Sequence, residues 1–329
     1  MKQNNNYFRT IVEIPEYKSK ISYQKGTFLI GSCFVENIGD KLQYLFFPTV
    51  INPFGILYNP VSIERCINRI LSKAYFSESN LDFYNERYLS FDAHSIHSSP
   101  TATETLNSLN HSIDQAYEFL NSCGQVIITL GTSWVYKHKQ KDTYVANCHK
   151  YPAKDFERIK LSIPEIVESI QRIVDNIRSV NKGCDICFTL SPIRHWKDGA
   201  IENNLSKASL LTAIHSCINN NTNTSYFPSY EIMMDDLRDY RFYAEDMLHP
   251  NSIAIEYIWN AFSDKKISPE SHPIMKEIDK LNRAANHRPF NPTSLSHQKF
   301  LKKNYEKCLE LEKKYDFINI TMLKDTLKA

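Results

Sequence analysis

The sequence lacks the features that mark several large classes of protein. Only eight of its 329 residues are glycine, against an average usage of roughly 7%, so the backbone has few places for a sharp turn. No run approaches the roughly 20 apolar residues that a membrane-spanning helix needs, and the first residues lack the apolar stretch of a signal peptide. These absences predict a cytoplasmic protein with no membrane span.

Strong charge of either sign is also absent. The formal net charge is +2, and apolar and charged residues make up 42% and 23% of the chain, as in an ordinary globular protein. This balance predicts neither a nucleic-acid partner nor binding to an anionic membrane surface. The chain is long enough to bury a full core, but nothing in it fixes an oligomeric state.

The eight cysteines show no repeated spacing, so we expect most of them to be reduced and buried. Cys184 and Cys187 have a CxxC spacing inside an apolar, strand-like segment, where their thiols would point to opposite faces. No second CxxC is present to complete a zinc site. The sequence therefore predicts no metal and no cofactor.

Apolar, strand-like segments alternate with segments of helical periodicity, which predicts an α/β fold. The predicted strands are 27–30, 48–51, 125–130, 185–190 and 225–227. The predicted helices of this part are 34–45, 62–73, 113–120, 163–180, 205–218 and 253–262, with Asn251 or Ser252 as the cap of the last. Such alternation is typical of a parallel sheet with helices on both faces. Residues 74–110 show little periodicity and predict an irregular excursion over one end of the sheet.

The composition changes near Asp264. A linker-like segment, 268–273, precedes charge-rich helical patterns at 274–285 and 297–315. We therefore expect a catalytic domain at 1–264 and a C-terminal helical extension at 265–329.

The loops that follow the predicted strands are the expected place for a functional site, because ligands bind at the carboxyl ends of strands in open parallel sheets. Ser32 lies where the first strand turns into a helix, which should expose its hydroxyl near free backbone amides. Asp246 and His249 are three residues apart before the last helix of the sheet domain. A serine nucleophile needs such a base, and the base needs a carboxylate to orient it. These residues predict a catalytic triad of Ser32, Asp246 and His249.

Each of these signals also has an ordinary explanation. A serine after a strand is common, and an Asp-x-x-His pair is usually a surface ion pair. Cys33 is a second possible nucleophile, but at the first helical position its side chain should turn into the core with Phe34. The combination at the ends of one sheet favours Ser32.

The segment Gly31-Ser32-Cys33-Phe34 resembles the signature of the GSCFA domain family, which is similar to the SGNH/GDSL serine hydrolases. The resemblance covers roughly residues 25–262. Further matching segments are Asn52-Pro53-Phe54-Gly55, Leu130-Gly131-Thr132-Ser133-Trp134, Ser191-Pro192-Ile193-Arg194-His195, Tyr226-Phe227-Pro228-Ser229-Tyr230-Glu231 and Asp246-Met247-Leu248-His249-Pro250.

The resemblance implies a flavodoxin-like, three-layer α/β/α fold and an oxyanion hole with three donors. The backbone of Ser32 and the amide of Gly55 match the first two. The third donor in the related enzymes is the asparagine of a Gly-x-Asn motif, and this chain has Ser133 at that position. Asn147 is the substitute that we favour, and Ser133 itself is the alternative.

Other residues are predicted to contact substrate. Arg194 and His195 follow the fourth strand, although Arg194 has an alternative structural partner in Glu231. Asp92, His94 and His97 have a metal-like spacing, but we favour a substrate wall or solvated loop, and keep His94 as a substrate contact. His149 is predicted to support the site from behind. Trp134 and Trp196 either line its mouth or belong to the core.

The predicted function is hydrolysis of a carboxylic ester, for example an acetyl ester on a small molecule or a glycan. An O-acyltransferase that uses the same site is one alternative. A non-catalytic binding protein, using the C-terminal helices as a partner surface, is another.

Overall fold

A computed structural model describes residues 10–328 of the chain. The strands are β1 (Thr27–Gly31), β2 (Thr49–Ile51), β3 (Asp82–Tyr84), β4 (Arg87–Leu89), β5 (Gln125–Leu130), β6 (Trp134–His138), β7 (Thr143–Val145), β8 (Phe156–Lys160), β9 (Asp185–Leu190) and β10 (Thr224–Phe227). The helices are α1 (Cys33–Tyr44), α2 (Pro60–Leu71), α3 (Ala102–Ser122), α4 (Ile163–Val180), α5 (Gly199–Asn220), α6 (Ser229–Glu231), α7 (Ser252–Lys266), α8 (Ser271–Ala285), α9 (Leu295–Lys314) and α10 (Thr321–Leu327).

The central sheet has five strands in the order β10-β9-β5-β1-β2. All four neighbouring pairs are parallel. This is the flavodoxin-like order, in which the chain direction across the sheet reverses between β1 and β5. The α/β prediction is confirmed, and the order identifies the β1–β5 crevice as the place where such sheets bind ligands.

Two apolar cores lie on the two faces of the sheet. Phe28 and Ile30 of β1 point into a core with α2, α3, α4 and α5. Leu29 points the other way, into a core with α1, α7 and the C-terminal helices. Because side chains alternate along a strand, one buried strand contributes to both cores, and the three layers follow.

The C-terminal helices share the second core. Ile278 of α8, Leu311 of α9 and Leu327 of α10 are all buried in the cluster that contains Leu29. The predicted boundary at Asp264 falls inside α7. The division into two domains stays a prediction.

The structure differs from the expected elements mainly between residues 74 and 162. Helix α3 begins at Ala102, well before the predicted start at residue 113. The prediction began late because the first turns of the helix are polar and show no apolar periodicity. Thr101 caps it by accepting a hydrogen bond from the Glu104 amide at 3.3 Å. A β3–β4 hairpin and an antiparallel β7-β6-β8 sheet, neither of them predicted, lie in this region. The short helix α10 was also not predicted.

Two expectations from composition are met in the described residues. Within residues 10–328, no helix combines the length and the apolar character that a bilayer crossing needs. All eight cysteines are free thiols, and only Cys33 and Cys148 are partly exposed. The CxxC pair, Cys184 and Cys187, is fully buried.

Candidate active site

The turn after β1 is fixed on both sides. The Gly31 amide donates to Asn52 Oδ1 at 2.8 Å, and its carbonyl accepts from the Leu57 amide at 3.0 Å. Gly31 has a φ of 140°, and a Cβ there would lie 2.2 Å from the Thr129 carbonyl oxygen. Only glycine fits this position without moving β5. The turn is therefore built as a rigid support at the switch point of the sheet.

Ser32 does not expose its hydroxyl, contrary to the sequence-based expectation. The residue is 1% exposed, and its Oγ has no hydrogen-bond partner among residues 10–328. Its amide donates to the Thr129 carbonyl at 3.1 Å, as a continuation of the β1–β5 pairing. The backbone of Ser32 is thus part of the sheet, and its amide is not free to hold an oxyanion.

Cys33 also differs from expectation. Its neighbour Phe34 is buried in the core beneath α1, whereas the Cys33 side chain remains partly exposed and belongs to neither core. Burial, followed by the nearby charge of Glu36, raises the pKa of the Cys33 thiol to about 11, while the Cys33 and Phe34 amides and Lys207 act in the opposite direction. The helix amides and Lys207 therefore offset only part of the rise in the pKa that burial and Glu36 cause.

Asp246 and His249 form an oriented pair. His249 Nδ1 lies 2.6 Å from Asp246 Oδ2, while Asp246 Oδ1 accepts from the Leu248 and His249 amides at 2.9 Å each. These contacts, led by the His249 amide, lower the pKa of Asp246 to about 2. Because the carboxylate accepts at Nδ1, Nε2 is the imidazole nitrogen left to accept a proton.

The turn that carries this pair is held in place by its surroundings. Met247 has a φ of 58°, and the Ala244 amide donates to the His249 carbonyl at 2.7 Å. Asn251 then caps α7 by accepting from the Ile253 and Ala254 amides at 3.1 Å each. The cap was one of the two predicted from the sequence. Both side chains of the pair are about half exposed.

Two of the predicted oxyanion donors are engaged elsewhere. The Gly55 amide donates to the Asn52 carbonyl at 2.7 Å. Ser133 is fully buried, and both its amide and its hydroxyl donate to Ser206 Oγ, at 2.8 and 3.0 Å. Ser133 is therefore not available as a donor or as a substrate contact in this structure.

Asn147 remains available. Its Oδ1 accepts from the His149 amide at 2.8 Å, which leaves Nδ2 without a partner among the described residues. His149 is itself buried, with Nε2 2.8 Å from the Ser90 carbonyl, and burial lowers its pKa. The His149 amide thus holds the Asn147 side chain in place, and the predicted role of His149 behind the site stays a prediction.

A cavity of about 470 Å³ adjoins the switch point, and Asn147 contributes to its wall. Tyr58, whose carbonyl accepts from the Gly131 amide at 2.7 Å, lines it together with His195; their rings meet edge to face at 5.8 Å. Trp134 lines it too, with the Arg158 guanidinium 4.3 Å from its ring centre. The cavity therefore offers aromatic faces and polar groups together.

Sequence reasoning missed Lys207. This residue of α5 is buried, and Nζ donates to the Ser191 carbonyl at 2.7 Å; no carboxylate within residues 10–328 pairs with it. Burial lowers its pKa to about 7. Burial, then Lys207 and His249, lower the pKa of His195. Lys207 thus acts electrostatically on both Cys33 and His195. Its position on the buried side of α5, four residues after Asn203 and three before Leu210, was the available signal.

The remaining predicted contacts lie around the site. Arg194 donates to Asn204 Oδ1 at 2.9 Å and lines a neighbouring cavity of about 560 Å³ beside Leu248. Glu231, its alternative partner, instead accepts from the Tyr226 hydroxyl at 2.9 Å. Trp196 also lines this second cavity and is about half exposed.

The segment around His94 packs against the loop that contains Phe54 and Gly55. The His94 amide donates to the Phe54 carbonyl at 2.7 Å, and a Cβ on Gly55 would meet His94 Cβ at 2.3 Å. Asp92 pairs with Arg65 and Arg69 at 2.6 and 2.9 Å. Among the described residues, no cluster of three or more acidic, cysteine or histidine side chains is placed to hold a metal.

These features define an α/β protein with a tight Gly-Ser-Cys turn at its switch point and an oriented Asp–His pair. The model of the GSCFA family matches residues 27–262, and the model of the GSCFA domain protein C-terminal domain matches residues 278–329. The chain therefore belongs to the GSCFA family. No curated protein matches it.

Several solved carbohydrate esterases resemble the chain at low identity, each with a TM-score of 0.37. A family 3 enzyme from Talaromyces cellulolyticus is 9% identical, over 77% of this chain and 99% of its own. An acetyl xylan esterase from the rumen bacterium Butyrivibrio proteoclasticus is 10% identical, over 74% and 65%. A family two enzyme from Clostridium thermocellum, solved with cellohexaose, is 9% identical, over 78% and 67%. Likeness at this level does not identify a function.

Proposed function

We propose that this protein hydrolyses carboxylic esters through a covalent acyl intermediate. A side chain of the turn after β1, either the Ser32 hydroxyl predicted from the sequence or the Cys33 thiol, attacks the ester carbonyl. His249 accepts the proton, and Asp246 orients His249. The carrying observation is the Asp246–His249 pair, with Nδ1 fixed at 2.6 Å and Nε2 open.

The position of the pair supports this role. His249 is close enough to His195 to lower the pKa of that imidazole, and Lys207 acts on both His195 and Cys33. The loops after β1, β9 and β10 therefore lie close enough for their charged groups to interact. An ion pair that served only the surface would not have to place the His249 imidazole close to His195, so this position favours a catalytic role for the pair.

The tetrahedral intermediate needs donors for its oxyanion. Asn147 Nδ2 can donate to it, because the His149 amide donates to Asn147 Oδ1 and so fixes the orientation of the side chain. Cys33 and Phe34 are the first residues of α1, and their amides have no backbone acceptor because a helix leaves its first amides unpaired. The positive end of the α1 dipole adds to them. We assign the oxyanion to these three groups, in place of the engaged amides of Ser32 and Gly55.

The leaving alcohol would occupy the cavity beside Tyr58 and Trp134. Aromatic faces with interspersed polar groups suit a hydroxylated ring, and the cavity volume of about 470 Å³ lies within the range of small-molecule sites. A small acyl group such as acetyl, on a sugar or a similar alcohol, is the substrate that we propose. His195 faces this alcohol, and Arg194 borders the second cavity. His94 forms part of the wall near Gly55.

Turnover of p-nitrophenyl acetate and of acetylated sugars tests the proposal. We expect His249→Ala to lower kcat/KM by about 10³-fold or more, because a general base contributes about 10²–10⁴-fold. His111→Ala removes an exposed histidine of α3 and should leave turnover unchanged.

Two other results would redirect the proposal. Acetyl transfer to an added sugar acceptor in preference to water would indicate an O-acyltransferase. Absence of turnover and of any acyl adduct in the wild-type protein would refute acyl chemistry and favour a binding protein.

A further inference from the structure

We propose that the Cys33 thiol, and not the Ser32 hydroxyl, is the nucleophile of this site, and that the intermediate is a thioester. The inference rests on the proposed ester hydrolysis and names its attacking atom. It contradicts the assignment that the sequence favours. It follows from a difference in burial between two adjacent residues, since Ser32 is enclosed and Cys33 is partly exposed.

The first argument is access. Ser32 is 1% exposed, and its Oγ is fully enclosed without a hydrogen-bond partner among residues 10–328. A Cβ on Gly131 would lie only 3.5 Å from Ser32 Cβ, so the loop after β5 closes over the serine. Cys33 is partly exposed, at the entrance of α1. An ester carbonyl can therefore approach the thiol without displacing the loop.

The second argument is that Ser32 already has a structural role. Its amide extends the β1–β5 ladder to Thr129, and its own extended conformation begins α1 as the N-cap residue. The backbone of Ser32 therefore joins β1 to α1. Cys33 has no comparable task, since its side chain lies outside both cores.

The third argument is the buried Lys207 amine near the thiol, which a pKa of about 7 leaves partly protonated at neutral pH. Lys207 is buried, donates to the Ser191 carbonyl and lies 5.6 Å from the centre of the Tyr230 ring, although an ammonium without a carboxylate is costly to bury. It lies close enough to Cys33 to act on its ionisation, as does the start of α1 through the Cys33 and Phe34 amides. A helix N-terminus and a nearby cation are the surroundings that activate cysteine. A buried serine hydroxyl gains less from them, because it does not ionise before attack.

The chemistry balances with the groups present. His249 Nε2 takes the thiol proton as sulfur bonds to the carbonyl carbon, and the imidazolium then protonates the departing alcohol oxygen as its bond to carbon breaks. Water attacks the resulting thioester and gives a proton to His249. The carbon–sulfur bond breaks, and that proton returns to sulfur. One ester and one water give one acid and one alcohol. Burial holds the pKa of the thiol near 11, so the base is needed at neutral pH.

The direct test locates the acyl group on the wild-type protein. The enzyme is mixed with p-nitrophenyl acetate, quenched in acid within one turnover, digested and analysed by mass spectrometry. We expect one acetyl group on Cys33, removed by neutral hydroxylamine as thioesters are. Acetyl on Ser32, stable to neutral hydroxylamine, would overturn the inference and leave ester hydrolysis standing. No turnover and no adduct would refute the proposed function itself, and the inference with it.

Variants give an independent readout. We expect Cys33→Ala to lower kcat/KM by about 10³-fold or more and Ser32→Ala to retain it within about tenfold. Cys308→Ala, which removes a thiol buried among the C-terminal helices, is the matched control. Cys33→Ser should move the adduct to a hydroxylamine-stable oxygen ester at position 33. The opposite ranking of Cys33→Ala and Ser32→Ala, with both variants folded by circular dichroism, would overturn the inference.

Discussion

Replacing Lys207 with methionine should stabilise the protein near neutral pH and destabilise it in alkali. Lys207 is buried, and the Ser191 carbonyl is its only hydrogen-bond partner within residues 10–328; Nζ also lies 5.6 Å from the centre of the Tyr230 ring. Methionine has a similar length and can occupy the same space without a charge. The substitution therefore separates the cost of burying the ammonium from the benefit of its hydrogen bond.

The two contributions have different magnitudes. Burial lowers the pKa of Lys207 from 10.5 to about 7, which corresponds to a cost on the order of 5 kcal/mol for the ionised form in the folded state. Loss of the donor leaves the Ser191 carbonyl unpaired, at about 2 kcal/mol. Below pH 7 the variant should then be the more stable protein by roughly 3 kcal/mol, from these two values.

The difference in stability between the variant and the wild type changes sign as the pH rises. Between about 7 and 10.5 the unfolded chain binds the Lys207 proton and the folded chain does not, so the stability of the wild type rises with pH. The variant lacks this contribution. Above pH 10.5 only the lost hydrogen bond remains, and the variant should be less stable by about 2 kcal/mol.

Urea unfolding at pH 6, 8 and 10.5, with wild type, Lys207→Met and the exposed control Lys299→Met, measures the effect. Apart from Cys33 and His195, whose pKa values Lys207 affects, the other groups titrate alike in both proteins, so the difference between the curves comes mainly from Lys207. A difference that does not change with pH would refute the reasoning. So would a variant less stable than the wild type at pH 6.

Three further substitutions test the site and its support. Asp246→Asn should lower kcat by about 10³-fold or more, because the amide of the new asparagine would donate to His249 Nδ1 and put the imidazole proton on Nε2. An unchanged kcat would contradict the role assigned to Asp246. Asn147→Ala should lower kcat by about 10²-fold with little change in melting temperature, and an effect on KM alone would exclude it as an oxyanion donor. Gly31→Ala should cost about 3 kcal/mol or more in urea unfolding, whereas Gly183→Ala, where an added Cβ meets nothing within 4 Å, should be nearly neutral; equal effects would contradict the clash with Thr129.

Helices and strands with strong apolar periodicity were predictable, because their own residues are enough to define their type and their ends. The predicted bounds of α4, β5 and β9 match the structure. Helix α3 was predicted too short, because its first turns bury few side chains and only the Thr101 cap marks their start. The β7-β6-β8 sheet escaped prediction because antiparallel pairing depends on a partner that periodicity does not identify.

In the candidate site too, local features were predictable from the sequence and features that depend on distant segments were not. The spacing of Asp246 and His249 predicted a contact within one turn, and the structure contains it at 2.6 Å. The accessibility of Ser32 and Cys33 was predicted in the wrong order. It depends on how closely the loop after β5 approaches the end of β1, and this approach is set by pairing across about 100 residues of chain.

The sequence by itself determined the parallel α/β fold, the turn after β1 and the Asp246–His249 pair, since each follows from local patterns and short spacings. Only the tertiary contacts bury Ser32 and leave Cys33 partly exposed. They also decided which amides remain free, and that Lys207 is buried beside Cys33. These features depend on distant segments packing together, because burial and hydrogen-bond partners across a sheet belong to no single segment.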